Sequence, residues 1–354
     1  MNSPLPAGAA APDADATACP TPMRIAVAGA GAIGCTLAAT LAHAGQPVRL
    51  LARGATLQAV QRDGIRLQRA DGIVHAQVQA ASDARQLGEQ DAVFICTKAH
   101  DLARIVPALG PLIGPHTCII PMVNGVPWWY FQRLPGRFAG RAVQAVDPDG
   151  ALLRALPTEQ LLGAVQFITA ERSAPGAVSS LNPLLIILGE LDHTETPRAR
   201  RLADALNAAG IEARVSPRIR DPLWTKIIAN LTSNPLSVIA EATLEALYGD
   251  PRLLPVVRKI LHEGLTLAAS YGARIEFDPQ TFISQALGMG PVRTSMLQDA
   301  LQGNPLELAA IGDAVLELAR LQQIPMPVAQ DIIAMAHYRS EHARSPAPRP
   351  PAPH

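Results

Sequence analysis

The chain of 354 residues has little of several features that mark specialised protein classes. Its four cysteines form no CxxC pair and no cluster with His at metal-ligand spacing, so we expect neither a disulfide framework nor a metal site. Lys plus Arg balances Asp plus Glu at 30 each, which leaves no global field to attract nucleic acid or a membrane surface. No segment is long and apolar enough to span a bilayer. The expected location is a reducing cytoplasm.

The ends of the chain differ in composition from its middle. Residues 1–22 are rich in Ala and Pro and lack the basic n-region and apolar h-region of a secretory signal. They are predicted to be a disordered extension. Residues 341–354 read as a Pro-rich tail. Residues 23–217 alternate strands with helices, whereas residues 218–340 are almost wholly helical. The sequence therefore predicts an α/β fold, with a doubly wound parallel sheet followed by an all-α C-terminal domain.

A glycine-rich loop follows the first apolar run. Ile25–Ala28 is predicted to be a strand, and an Ala/Leu-rich helical pattern continues to His43. In dinucleotide-binding units the first glycine permits a sharp turn, the second lets the backbone approach a pyrophosphate, and the third allows close helix–strand packing. The N–H groups at the helix start then hold the phosphates. The first domain is therefore predicted to be of the Rossmann type, with a dinucleotide bound by Gly29, Ala30, Gly31, Ala32, Ile33 and Gly34.

The end of the second predicted strand indicates which dinucleotide binds. NAD-binding units place an Asp or Glu there for the ribose 2′-hydroxyl, and this chain has Arg53. A guanidinium can hold a 2′-phosphate through two charge-assisted hydrogen bonds, which a carboxylate would repel. A solvated loop arginine is the alternative interpretation. NADPH is the cofactor that Arg53 favours.

One predicted helix carries a single charge in its apolar body. The helix is expected to begin with Asp221 as its N-cap and Pro222 at the first helical position. Lys226, Asn230 and Asn234 recur every fourth residue and so form one polar stripe. A lone lysine flanked by amides on a mostly buried helix indicates a lined cleft. A solvated lysine with incidental amides is the alternative.

Further polar residues follow near the end of the helical domain. Ser295 and Asp299 share one face of a predicted helix. Glu307 fits a capping box locally, with Asn304 as N-cap and Pro305 at the first helical position. The local pattern slightly favours a capping role for Glu307, and a catalytic role for its carboxylate is the alternative.

Four separated motifs together resemble the ketopantoate reductase (2-dehydropantoate 2-reductase) family, over about residues 23–339. They are the glycine loop, Lys98 after an apolar strand, Asn124-Gly125, and the Lys226 stripe combined with Ser295, Asp299 and Glu307. Their combination in this order makes the match specific. The resemblance implies an enzyme that reduces 2-dehydropantoate to (R)-pantoate with NADPH, a step toward pantothenate and coenzyme A.

The resemblance also implies a role for each of these residues. Lys226 becomes the general acid and Glu307 its catalytic partner. Substrate contacts fall to Asn124, Asn230, Asn234 and Ser295, and cofactor contacts to Arg53, Lys98 and Asn124. An ammonium beside C2 of a 2-oxo acid would stabilise and protonate the developing oxyanion. Burial should lower the pKa of Lys226, and a nearby carboxylate should oppose that shift.

The chain departs from the family pattern at two positions. Val292 stands where a polar, substrate-binding residue is frequent, and Ala309 stands where Asp is frequent. Another branched 2-oxo acid is therefore an alternative substrate. A non-enzymatic NADP(H) sensor is an alternative of a different class. The expected partner is a small-molecule 2-oxo acid, and the sequence is compatible with a homodimer.

Overall fold

The computed structural model describes residues 22–342. The extension predicted for residues 1–22 and the tail predicted for residues 341–354 lie outside this range, apart from residues 22, 341 and 342. In the range, an α/β domain precedes a helical domain. None of the described helices is long and apolar enough to cross a membrane.

Strands are confined to the first of these domains within the described residues. In chain order they are β1 (Ile25–Ala28), β2 (Val48–Leu51), β3 (Ile65–Arg69), β4 (Gly72–Ala76), β5 (Gln79–Ala81), β6 (Gln90–Ile95), β7 (Ile113–Pro121), β8 (Gly163–Phe167), β9 (Glu171–Ala174), β10 (Ala177–Ser179), β11 (Leu185–Gly189) and β12 (Glu212–Val215). The α-helices are α1 (Ala32–His43), α2 (Gly54–Asp63), α3 (Leu102–Ile105), α4 (Ala151–Ala155), α5 (Pro197–Ala208), α6 (Arg220–Ala240), α7 (Leu244–Gly249), α8 (Leu254–Ser270), α9 (Pro279–Gly288), α10 (Ser295–Leu301), α11 (Ala314–Gln322) and α12 (Pro327–Glu341).

The central sheet is parallel throughout, with the strand order β5-β2-β1-β6-β7. Along β1, Ile25 and Val27 pack into one hydrophobic core, whereas Ala26 and Ala28 pack into another. A sheet that is apolar on both faces must be covered on both faces. The predicted fold class is therefore confirmed. Two smaller sheets, β4-β3-β10-β9 and β12-β11-β8, extend the domain.

A buried aromatic segment, residues 128–131, links the α/β domain to α6. All four of its side chains are at most 6% exposed. The Tyr130 hydroxyl accepts a hydrogen bond of 2.7 Å from Trp224 Nε1. The Arg220 guanidinium donates to three backbone carbonyl oxygens, those of Tyr130, Leu191 and Gln132. These contacts fix the first turn of α6, and they give this segment a structural role that its sequence did not reveal.

The start of α6 differs from the prediction. The N-cap is Ile219, and Asp221 lies inside the first turn. The Asp221 carboxylate accepts hydrogen bonds from Arg218 Nε at 2.8 Å and from the backbone N–H of Arg274 at 3.1 Å. The N-cap prediction for Asp221 is therefore wrong, because the helix begins one residue before Asp221, and Arg218 and Arg274 hold the Asp221 carboxylate. A negative charge in the first turn still favours the helix.

Candidate active site

The glycine loop between β1 and α1 has the geometry of a phosphate cradle. Gly29 has φ +109°, and a Cβ there would lie 2.8 Å from Thr97 Cγ2. A Cβ at Gly34 would lie 1.9 Å from the Gly29 carbonyl oxygen, so only glycine permits this packing of helix on strand. A Cβ at Gly31 would meet no protein atom nearer than 4.0 Å, which leaves its backbone open to a ligand. The loop thus fits a dinucleotide.

Arg53 lies at the same edge of the sheet as this loop. It follows β2 directly and precedes α2, and its side chain is exposed. Because β1 and β2 are neighbouring parallel strands, their carboxyl ends lie side by side. Among the described residues the Arg53 guanidinium has no hydrogen-bond or ion-pair partner. It is therefore free to meet a cofactor phosphate.

Lys98 joins the two domains through ion pairs. Its Nζ lies 2.6 Å from Asp299 Oδ2 and 3.7 Å from Glu307 Oε2. Burial by itself lowers the pKa of Lys98, but the two carboxylates outweigh burial and leave that pKa raised. Lys98 is therefore an ammonium at neutral pH. It follows Thr97, which packs against Gly29 of the cradle.

Glu307 does not form the predicted capping box. The helix begins at Leu308, and Asn304 lies in the irregular segment before it. The Glu307 side chain is 4% exposed. Its carboxylate accepts hydrogen bonds from the Ala99 backbone N–H at 3.1 Å and from Asn124 Nδ2 at 3.2 Å. The capping prediction is wrong because donors from the other domain hold this carboxylate.

The loop that carries Asn124 is fixed against a π-helical turn, Ala309–Asp313. Gly125 has φ +76°, and a Cβ there would lie 2.3 Å from the Ala310 carbonyl oxygen. The same oxygen accepts a hydrogen bond of 2.9 Å from the Val126 N–H. Single π-helical turns are frequent at functional sites. Here the turn carries the backbone contact that brings Asn124 to Glu307.

Gln166, near the end of β8, connects Asn124 with Lys226. Its Nε2 lies 3.4 Å from Asn124 Oδ1, and its Oε1 accepts a hydrogen bond of 2.9 Å from the Ile168 N–H. Its backbone carbonyl accepts a hydrogen bond from Lys226 Nζ. The polar groups of the site therefore form one chain, which runs from Lys226 through Gln166 and Asn124 to Glu307.

Burial lowers the pKa of Lys226 to about 7, and the charge of Glu307 opposes this shift. A charged ammonium loses hydration when it is buried, so its neutral form is favoured. A pKa near the working pH is the value that a general acid needs, because both protonation states are then accessible. The geometry and the pKa together make Lys226 the candidate proton donor.

The remaining predicted substrate residues lie along α6 and at the start of α10. Asn234 is buried, Asn230 is half-buried, and Ser295 is exposed as the first residue of α10. A hydrogen bond of 2.6 Å between the hydroxyls of Ser237 and Thr294 joins the two helices. The polar stripe and Ser295 therefore lie on helices that contact each other.

Two residues of the site were not predicted from the sequence. Gln166 is the one polar residue in β8, and this is the only feature of the sequence that points to it as a site residue. Phe167 follows it and is 38% exposed, and Lys226 Nζ lies 5.8 Å from the centre of its ring. Val292, which departs from the family pattern, packs its side chain against the main core. In residues 22–342 no group of three or more His, Cys, Asp or Glu side chains could hold a metal ion.

A glycine loop with dinucleotide-binding geometry, together with a half-buried lysine of lowered pKa, is typical of a nicotinamide-dependent oxidoreductase. The family profile described as Ketopantoate reductase PanE/ApbA matches residues 25–193, and that described as Ketopantoate reductase PanE/ApbA C terminal matches residues 218–340. The chain belongs to the ketopantoate reductase family. It is therefore an oxidoreductase that acts on a small molecule, and the alternative of a non-enzymatic sensor is set aside.

Relatives and solved structures agree with this membership. A 2-dehydropantoate 2-reductase of Mesorhizobium japonicum is 37% identical over 86% of this chain and 94% of its own. A structure from Ralstonia solanacearum, assigned to the ketopantoate reductases, has a TM-score of 0.85 at 36% identity, and covers 90% of this chain and 98% of its own. A D-mandelate dehydrogenase solved with NADH and anilino(oxo)acetate shares the fold, with a TM-score of 0.78 at 21% identity over 90% of this chain and 99% of its own.

Proposed function

We propose that the protein reduces 2-dehydropantoate to (R)-pantoate with NADPH, a step toward pantothenate and coenzyme A. The observation that carries the proposal is Lys226, a half-buried ammonium with a pKa of about 7 that donates a hydrogen bond to the Gln166 carbonyl. The 37% identical relative described as 2-dehydropantoate 2-reductase supports the choice of substrate.

Lys226 acts on the carbonyl oxygen of the substrate. When bound, NADPH supplies a hydride to C2 of the 2-oxo acid. Negative charge then develops on the C2 oxygen, where the Lys226 ammonium stabilises it and donates the proton that completes the hydroxyl group. Glu307 keeps Lys226 more basic than burial alone would leave it. Asn230, Asn234 and Ser295 offer amide and hydroxyl groups to the substrate carboxylate and hydroxyl.

Arg53 and Lys98 are proposed to hold the cofactor together with the glycine loop and Asn124. The exposed Arg53 guanidinium at the end of β2 supports NADPH over NADH. NADH is the cofactor seen in the D-mandelate dehydrogenase that shares the fold. Parallel titrations of the protein with NADPH and NADH, followed by the fluorescence of the reduced nicotinamide, test this choice.

A bulkier 2-oxo acid is the second candidate substrate. Phe167 presents an exposed ring 5.8 Å from the Lys226 ammonium, where an apolar substrate side chain could pack on it. Val292 adds an apolar residue where the family pattern frequently has a polar one. This candidate keeps the same proton donor and changes only the substrate side chain.

Consumption of reduced nicotinamide tests both candidates in one assay. We expect the highest kcat/KM with 2-dehydropantoate and NADPH among a series of straight, branched and aromatic 2-oxo acids. A higher kcat/KM with an aromatic or longer branched acid would favour the second candidate. No turnover of any 2-oxo acid, despite tight binding of the cofactor, would contradict the proposed function.

We also propose how the two domains share this reaction, where the enzyme is located and how it assembles. Residues 23–217 serve as the cofactor-binding domain, and residues 218–340 as the helical domain that supplies the acid and most substrate contacts. A cytoplasmic location and a homodimer are our expectations for the working enzyme. Sedimentation of the purified full chain, with and without NADPH, tests the second of these.

A further inference from the structure

We propose that Gln166 is a positioning residue, which orients the side-chain amide of Asn124 so that its NH2 group faces Glu307. This inference rests on the proposed function, because it takes Asn124 and Glu307 to serve the reduction. Gln166 is 5% exposed, and every polar group of its side chain has a partner inside the protein.

The chain of partners permits one orientation of both amides. The oxygen and nitrogen of an amide side chain have nearly the same shape, so hydrogen bonds decide which of them faces which neighbour. The Ile168 N–H can only donate, which places Gln166 Oε1 against it. Gln166 Nε2 must then face Asn124, and because an NH2 group can only donate, Asn124 presents its oxygen. Asn124 Nδ2 is left to donate to the Glu307 carboxylate, which can only accept when it is ionised.

This order of donors begins at a backbone N–H group, which cannot flip as a side-chain amide can. The Ile168 N–H belongs to the chain just after β8, so the polarity of the network is fixed by the fold. Without the Gln166 amide, Asn124 Oδ1 loses this donor, and the Asn124 side chain can rotate. Its oxygen would then meet a carboxylate, and its NH2 group would no longer be aimed at the site. Side-chain substitutions of Gln166 leave its carbonyl in place to hold Lys226.

A double-mutant cycle tests whether Gln166 acts through Asn124. The four proteins are the wild type, Gln166→Met, Asn124→Ala and the double variant, each measured for kcat/KM, NADPH affinity and thermal unfolding. Gln166→Met alone should lower kcat/KM about tenfold, the scale of one buried hydrogen bond. In the Asn124→Ala background the same change should lower kcat/KM less than about twofold. Equal losses in both backgrounds would overturn the proposal, because a merely structural role does not depend on Asn124.

The pH dependence of Gln166→Glu gives a second test that does not rely on the activity of Asn124→Ala. A glutamate still accepts from the Ile168 N–H, but its ionised form offers Asn124 no donor. Protonation of the new carboxyl restores the donor. The other charged groups around the site are Lys226 on α6, Lys98 after β6, Asp299 on α10, and Glu307.

The comparison is confined to about pH 5.0–6.5, where Lys226 with its pKa of about 7 stays mostly protonated. The ratio of kcat/KM for Gln166→Glu to that of the wild type should rise at least about fivefold as the pH falls through this range. The corresponding ratio for Gln166→Met should stay flat. A flat ratio for both variants would overturn the proposal. A wild type that turns over no 2-oxo acid would instead count against the proposed function, so the two failures are distinguishable.

Discussion

The Glu307 carboxylate lies 3.2 Å from the side-chain nitrogen of Asn124, although the two residues belong to different domains. Glu307 also accepts a hydrogen bond from the Ala99 N–H and lies 3.7 Å from the Lys98 ammonium. This buried carboxylate, held by donors from the other domain, belongs to the candidate site. The helical domain thus completes a centre whose other half belongs to the α/β domain.

Glu307→Gln should lower kcat/KM at least about tenfold in a protein that stays folded. Glutamine keeps the shape, but it removes the charge that opposes the lowering of the Lys226 pKa. The pKa of Lys226 should therefore fall further below about 7, and less of the ammonium form remains at neutral pH. We expect the loss of kcat/KM at high pH to begin at lower pH than in the wild type. Near-normal kcat/KM with an unshifted profile would show that Glu307 has only a structural role.

Arg53→Ala should weaken NADPH binding at least tenfold and leave NADH binding nearly unchanged. One charge-assisted contact to a phosphate contributes about 1.5–3 kcal/mol, and NADH lacks the 2′-phosphate. Arg62→Ala is a matched control, because Arg62 is an exposed arginine later in α2 that pairs with Asp63. Fluorescence titration of both cofactors measures the effect. Equal losses for the two cofactors would count against the role of Arg53.

Arg220→Met should destabilise the protein by about 3 kcal/mol or more. Its guanidinium is buried and donates to three carbonyl oxygens, which would be left without these donors. Arg214→Met is the control, since Arg214 is exposed and pairs only with Glu212. Urea denaturation gives the free energy of unfolding of each. A loss in Arg220→Met no larger than that of the control would contradict our account of the start of α6.

Phe167→Ala should raise KM for branched 2-oxo acids about tenfold, because their side chains lose an apolar surface beside Lys226. KM for pyruvate, whose methyl group is small, should change less than about threefold. The KM values of the two acids at saturating NADPH measure the difference. The same factor for both acids would mean that Phe167 does not contact the substrate side chain.

The fold could be predicted because its signals are local. The apolar strand β1, the glycine loop and α1 follow one another in the sequence, and each has its own pattern of residues. The pairing of strand β10 with strand β3 could not be predicted in the same way. These two strands lie in distant parts of the chain, and nothing local marks such pairing.

The site was only partly predictable from its residues. Lys226 stood out as a lone charge on an apolar helix. Glu307 was ambiguous, because its partners Ala99 and Asn124 lie 208 and 183 residues away in the sequence. Gln166 gave almost no signal, since a single polar residue in a strand is common and its partners are set by tertiary structure.

The role of Lys226 as the general acid is the central claim, and the pH profile of kcat/KM for reduction tests it most directly. An acid must be protonated to act, so activity should be full below its pKa and fall tenfold per pH unit above about 7. In the reverse reaction, oxidation of the 2-hydroxy acid, the neutral amine of Lys226 acts as the base. The kcat/KM for oxidation should therefore rise with pH through about 7. Lys226→Ala should lower kcat about 10²–10⁴-fold, remove this limb of the profile and leave NADPH affinity nearly intact. A Lys226→Ala enzyme that kept more than about a tenth of the wild-type kcat, with the same pH profile, would contradict the account.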